Sequence, residues 1–275
     1  MNILDKINEN KRREIAEAKE KVTVDQLMAS PYFKRPANSL KAALMAEDAN
    51  GIIAEFKTQS PSKGLINGEA EASQVTEAYM KAGASGLSVL TDEAYFGGSF
   101  DDLAKARWAN PKAPILRKDF MLDSYQIFEA KAHGADVILL IAESLSKQLL
   151  LELTQTAKEI GLEVLVEVHS VEELDKLNPQ VDLVGVNNRN LKTFEVDINT
   201  SIRLGEMIPA QFVKISESGI SAPESIAQLK AVGFKGFLIG ETFMKTEDPG
   251  KACAEFIANL TSAGDYFKSP AESPA

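Results

Sequence analysis

Residues 132–169, AHGADVILLIAESLSKQLLLELTQTAKEIGLEVLVEVH, contain one complete structural period. A glycine precedes the apolar run DVILLIA (136–142), an amphipathic stretch follows near 146–160, and a second glycine in EIGLE leads into the apolar run EVLVEVH (163–169). Short β-branched runs alternating with longer amphipathic segments read as βα units around a parallel sheet. Working outward in both directions, further strand-like runs lie at 51–57, 86–92, 113–119, 183–188, 212–218 and 236–241, which brings the number to eight. Helical patterns fall near 72–83, 101–109, 124–132, 171–178, 198–207, 221–232 and 249–262, with Ser124, Ser146, Ser170 and Ser221 placed to cap four of the helices. KAGASG, AHGAD, EIGLE and AVGFKG each put a glycine just past a helix, where a left-handed C-cap costs glycine little.

Eight such units in this length predict an α/β fold, a single (β/α)8 TIM barrel with an N-terminal helical extension. Residues 1–264 are expected to form one barrel domain, 1–50 to be the extension and 265–275 a flexible tail. An open doubly wound sheet is the weaker alternative, because the turn after the first strand, TQSPSKG, lacks a GxGxxG fingerprint.

Composition narrows the partners. The chain of 275 residues has a net charge of −10, which repels nucleic acid and anionic membrane surfaces. Its longest strongly apolar run, Val137 to Ala142, is far short of a membrane span. Cys253 is the one cysteine, and with only His133 and His169 beside it no Cys/His zinc spacing exists. These features suit a cytoplasmic protein, and the acidic surface favours a monomer. Residues 1–20 alternate Lys, Arg and Glu at helical spacing without a signal-peptide core, and read as an exposed helix.

Strand parity then locates the chemistry. Ile53, Glu55 and Lys57 share one face of the first strand, Leu116 and Lys118 one face of the third, and Leu165, Glu167 and His169 one face of the fifth. Gly185, Asn187 and Arg189 follow in the sixth, and Val213, Ile215 and Glu217 in the seventh. Each face begins apolar and ends ionisable or amide-bearing, and strand C-termini are the catalytic rim of a TIM barrel. Facing inward, Glu55, Glu167 and Glu217 balance Lys57, Lys118 and Arg189, a pairing that also shifts lysine and glutamate pKa values toward acid/base duty. A purely structural salt-bridge network closing the barrel is the competing reading. Arg117 and Asp119, on the other parity, read as packing or rim residues, and His133 as structural. His169 shares the face of Glu167 without a catalytic role being assigned to it. Lys63 lies on a first βα loop expected to close over a ligand.

SESGIS after strand seven and IGET after strand eight place Ser218, Gly219, Gly240 and Glu241 where TIM barrels commonly bind phosphate. The alternative is that these glycines only serve tight turns. A phosphorylated small molecule is the expected ligand.

The ordered set IIAEFKTQSPSKG, SVLTDEAYFGGS, ILRKDFMLDSYQIFEA, LVEVH, GVNNRNLKTFEVD, SESGI and LIGETFM resembles the indole-3-glycerol phosphate synthase family over residues 1–263. The resemblance implies ring closure of 1-(2-carboxyphenylamino)-1-deoxyribulose 5-phosphate with loss of CO2 and water, and neither metal nor redox cofactor. It also implies that the N-terminal extension lies over the barrel mouth. Lys118 stands where similar enzymes protonate the ketone oxygen. Lys57 and Glu167 match the dehydration acids and Glu55 a base, with their division of labour open. Asn187, Arg189, Glu217 and Ser60 resemble positioning residues. Ser218, Gly219, Gly240 and the backbone at Glu241 would hold phosphate, and Phe120 would pack the anthranilate ring. Some relatives have serine where this chain has Glu241, so only backbone contact is expected there. Two further readings are a phosphoribosylanthranilate isomerase relative, which should want a Cys/Asp pair at strand ends, and a non-catalytic barrel, which should have lost the charges at its mouth.

Overall fold

The computed structural model describes residues 3–191 and 193–266, the side chains of 261–266 aside. The barrel strands are β1 (Ile52–Phe56), β2 (Gly86–Leu90), β3 (Ile115–Lys118), β4 (Val137–Ile141), β5 (Glu163–Val168), β6 (Leu183–Asn187), β7 (Val213–Glu217) and β8 (Phe234–Ile239). All pair in parallel with their sequence neighbours, and β8 returns to β1 through Ile52–Phe237, Ile53–Leu238 and Ala54–Ile239, which closes the barrel. Closure buries both faces of every strand, which is why these runs are β-branched and apolar throughout rather than alternating with polar residues.

Parity sorts the two faces as the sequence indicates. Ile53, Leu116, Leu139, Leu165, Ile215 and Leu238 fill the interior, while Ile52, Ala54, Phe56, Val164 and Val166 pack outward against the helices. Gly83, Gly134, Gly161 and Gly233 all have positive φ, as the helix-to-strand punctuation requires. Of the four proposed serine caps, only Ser146 accepts a backbone N–H, from Leu149. Ser124 and Ser170 make no such bond, and Ala222 rather than Ser221 precedes its helix. The final helix runs Pro249–Tyr266 and so takes in Asp265 and Tyr266, which the sequence assigned to the tail. The rest of that expected tail, 267–275, lies outside the described residues.

The extension does not lie over the mouth alone; it divides between the two ends of the barrel. Its first helix, α1 (Ile3–Lys21), sits over the C-terminal rim, where Leu4 and Ile7 join the interior cluster. This helix is not the exposed one its charge pattern suggests, because Leu4, Ile7, Asn8, Lys11 and Ile15 are buried. Lys11 reaches Asp92 at 2.9 Å and Asp119 at 3.0 Å, and Asp119 pairs with Arg117 at 2.8 Å. A buried charge is tolerated only when paired in this way. A capped turn, α2 (Val24–Met28), follows along the barrel wall. Then α3 (Leu40–Met45) plugs the opposite, N-terminal end with Leu40 and Leu44. Glu163, the first residue of β5, accepts the N–H groups of Leu40 at 2.9 Å and Lys41 at 3.0 Å, so a carboxylate meets the positive end of that helix.

Candidate active site

The C-terminal rim encloses a cavity of about 150 Å³ between the strand ends and α1. Every candidate from the sequence lines it: Glu55, Lys57, Ser60, Lys118, Phe120, Glu167, Asn187, Arg189, Glu217, Ser218, Gly219, Gly240 and Glu241. The strands bring them together because inward parity and position at the strand end are the same on each. The ceiling comes from the extension that the resemblance puts over the mouth, although strand parity gave no sign of it. Ile3, Leu4 and Ile7 of α1 close the cavity from above, and their spacing of three and four residues marks an apolar stripe. Phe96, Leu191 and Phe194 on the rim loops were missed. Cys253 is buried in the final helix and does not line the cavity.

Lys118 is the electrostatic centre. Its Nζ lies 3.3 Å from Glu167 Oε2 and 3.3 Å from Glu217 Oε2. Burial opposes its charge, but Glu217, Glu167 and Glu55 outweigh that and hold the ammonium well above its ordinary value. The two carboxylates are unequal. Glu167 also accepts from Asn187 Nδ2 at 3.1 Å and has His169 Nε2 at 3.3 Å, and these cations and donors overcome burial and hold it well below the usual carboxylate range. Glu217 lacks such donors, and burial, reinforced by Glu167 and Glu55, pushes it up to about 8 despite Lys118. Of the two, Glu217 is therefore the carboxyl that holds a proton more readily.

A second pair stands beside the first. Lys57 donates to Glu55 Oε1 at 2.8 Å, and Ser88 donates to Glu55 Oε2 at 3.2 Å. Burial raises Glu55, but Lys57 and Lys118 outweigh it and leave the carboxyl below its ordinary value. Two glycines make room for this machinery. A Cβ at Gly185 would lie 2.2 Å from Glu217 Oε1, and one at Gly240 would lie 2.6 Å from Glu55 Oε1. Gly240 thus has a reason to be glycine that the phosphate reading of its loop did not supply.

The rim loops are held by Glu241. Its carboxylate lies 3.4 Å from Lys63 and 3.7 Å from Arg189, so the side chain stands between two cations. Lys63 sits at the tip of a small hairpin pairing Gln59–Ser60 with Gly64–Leu65. Ser218 and Gly219 take φ of 68° and 75°, and a left-handed serine is a strained backbone of the kind that clusters at ligand sites. Arg117 lies over the ring of Phe100 and His133 stacks on the same ring, which fits the packing and structural roles expected of them. Among the described residues, one group has metal-ligand proximity: Glu143, His169 and Glu173, with ligand atoms within 4.8 Å of one another. Burial works against charge on this imidazole, but Glu167 and Glu173 push it up to about 10, so a metal ion there would have to displace a proton.

The family model for indole-3-glycerol phosphate synthase matches residues 4–256. The chain belongs to the indole-3-glycerol phosphate synthase family. A relative from Bacteroides thetaiotaomicron bearing that name is 48% identical over 255 residues, which cover 93% of this chain and 97% of the relative. One from Kineococcus radiotolerans is 41% identical, covering 94% and 96%. Among solved structures, a tryptophan synthase α subunit from Legionella pneumophila aligns with a TM-score of 0.61 at 14% identity, over 84% of this chain and 99% of that one. A 3-hexulose-6-phosphate synthase from Salmonella typhimurium gives 0.61 at 13%, over 77% and 99%. Those two likenesses concern the barrel fold alone, whereas membership of the indole-3-glycerol phosphate synthase family rests on the sequence matches.

Proposed function

We propose that this chain is an indole-3-glycerol phosphate synthase, converting 1-(2-carboxyphenylamino)-1-deoxyribulose 5-phosphate to indole-3-glycerol phosphate, CO2 and water. The observation that carries the reading is Lys118 held between Glu167 and Glu217, with Lys57 and Glu55 paired beside it in one apolar-walled cavity. Ring closure forms a bond between the aromatic carbon bearing the carboxylate and the ketone carbon. The ketone oxygen gains charge as it does so, and Lys118, fully protonated, supplies the proton that makes it a hydroxyl. Glu217, pushed up to about 8, is the carboxyl placed beside Lys118 to return a proton to the amine. Loss of CO2 leaves its bonding pair in the ring and restores aromaticity. Dehydration then breaks the carbon–hydroxyl bond, with Lys57 as acid, while a carboxylate removes the neighbouring ring-carbon proton.

Glu55 and Glu167 are the candidate bases. Glu167, which the resemblance matches to a dehydration acid, is kept ionised in the empty enzyme by Lys118, His169 and Asn187, so the acid step falls to Lys57; the same stabilisation makes Glu167 the weaker base of the two. Asn187, Arg189 and Ser60 orient the substrate, Ser218, Gly219, Gly240 and the Glu241 backbone hold its phosphate, and Phe120 packs the anthranilate ring against Leu139 and Ile141. We read residues 1–264 as one catalytic unit and the enzyme as a cytoplasmic monomer, supported by its net charge of −10 and its single, buried Cys253.

Lys118→Ala tests the assignment. It should fold and still bind inorganic phosphate while losing about 10²–10⁴-fold in turnover, the usual worth of a positioned acid. Glu167→Gln should lower kcat far more than it changes KM. Turnover near wild type in the first variant, or a change confined to KM in the second, would remove that residue from the chemistry.

A further inference from the structure

His169 lies just beyond the end of β5, outside the cavity lining, yet it touches the group the chemistry needs. Its Nε2 is 3.3 Å from Glu167 Oε1, and its Nδ1 is 3.6 Å from Glu173 Oε2. Neither ring nitrogen has an aligned hydrogen-bond acceptor, so with the ring protonated both contacts are ionic. The side chain is 12% exposed. Its placement is enforced from the following turn, because the His169 backbone N–H donates to Glu173 Oε2 at 2.8 Å. The charged groups facing the ring are Glu167 from β5, Glu173 from the short helix Val171–Leu174 and Glu143 from the turn Ala142–Ser144. A neutral ring among three carboxylates would leave them mutually repelling, whereas a protonated ring offsets them. Glu167 for its part meets Lys118 of β3, Asn187 of β6 and His169, with Glu217 of β7 across Lys118.

We propose that His169 is a positioning residue for Glu167: wedged between Glu167 and Glu173, its cationic ring holds Glu167 Oε1 from behind, so that Oε2 stays on Lys118 and faces the cavity as a carboxylate. The division of contacts supports this. Asn187 and His169 occupy Oε1, and Lys118 alone occupies Oε2. His169 acts through Glu167 and touches no cavity surface of its own. The inference deepens the synthase reading, since it names what orients one of that site's proton-transfer groups.

The test titrates the unliganded enzyme, so that it does not depend on turnover. Protein carrying 13C-labelled glutamate side chains, with the Glu167 signal assigned through Glu167→Gln, reports the carboxyl directly by NMR. In His169→Gln, which keeps the size and loses the charge, the Glu167 midpoint should rise by about one unit or more, because removing a cation favours the neutral carboxyl. Kinetically, kcat should fall about 5–20-fold with KM within twofold, and the acid limb of kcat/KM should move to higher pH. Glu173→Gln, which removes the ring's anchor, should move Glu167 in the same direction by less, and it carries the test if His169→Gln does not fold. A Glu167 midpoint unmoved in the folded variant overturns the proposal, as does a loss of kcat that follows melting temperature with the acid limb unchanged. Absence of turnover in the wild-type enzyme would instead count against the synthase reading.

Discussion

The two carboxylates flanking Lys118 differ in their neighbours. Both lie 3.3 Å from its Nζ, but Glu167 has Asn187 and His169 as further partners, and Glu217 stands in a cleft cleared by Gly185 with Lys118 alone. The sign of the pH dependence follows. With Glu217 pushed up to about 8, raising the pH puts a second negative charge beside Glu167, facing a substrate that itself carries a carboxylate and a phosphate. kcat/KM should therefore fall as pH rises through about 8, since that ratio reports the free enzyme. Glu217→Gln should show a lower kcat without this alkaline limb. A limb persisting near 8 in the variant would assign it to another group. Parity in single strands was enough to place Glu55, Lys118, Glu167 and Glu217 at one mouth. It could not say which carboxylate keeps the proton, because that depends on donors from β3, β6 and the residue after β5, brought together only by barrel closure.

At the scale of elements, three rim loops meet at Glu241. The hairpin after β1 brings Lys63, the loop after β6 brings Arg189, and the turn after β8 brings the carboxylate between them. These pairs are partly exposed, so each is worth little in stability, but they place an internal anion at the loops proposed above to bind phosphate. Glu241→Gln should release both cations and lower the inhibition constant of inorganic phosphate about 3–10-fold, with a smaller difference at high salt. A weaker phosphate affinity in the variant would mean that the carboxylate orders the loops for binding instead. Element boundaries in the barrel were largely legible, as β4 at Val137–Ile141 within the expected 136–142 illustrates. The extension was not. Its first helix looks solvated because Lys11 and Glu14 punctuate its inner stripe, and the partners Asp92 and Asp119, some eighty and more residues away, join Glu14 in making burial of Lys11 tolerable. Leu40 and Leu44 form a short apolar pair whose fit into the barrel floor depends on Gly86 and Gly236 leaving room for them.

For the whole molecule, eight punctuated βα units determined closure, and closure turned a scattered set of charges into one site. The regular period made the barrel readable, because each unit repeats the same burial logic on both faces of its strand. Ring closure is the central claim, and it is tested most directly by following indole fluorescence after the purified protein is mixed with 1-(2-carboxyphenylamino)-1-deoxyribulose 5-phosphate, without added metal or nucleotide. The indole signal should grow steadily in the wild-type enzyme and be nearly absent in Lys118→Ala. No signal from a wild-type protein that still binds the substrate would contradict it.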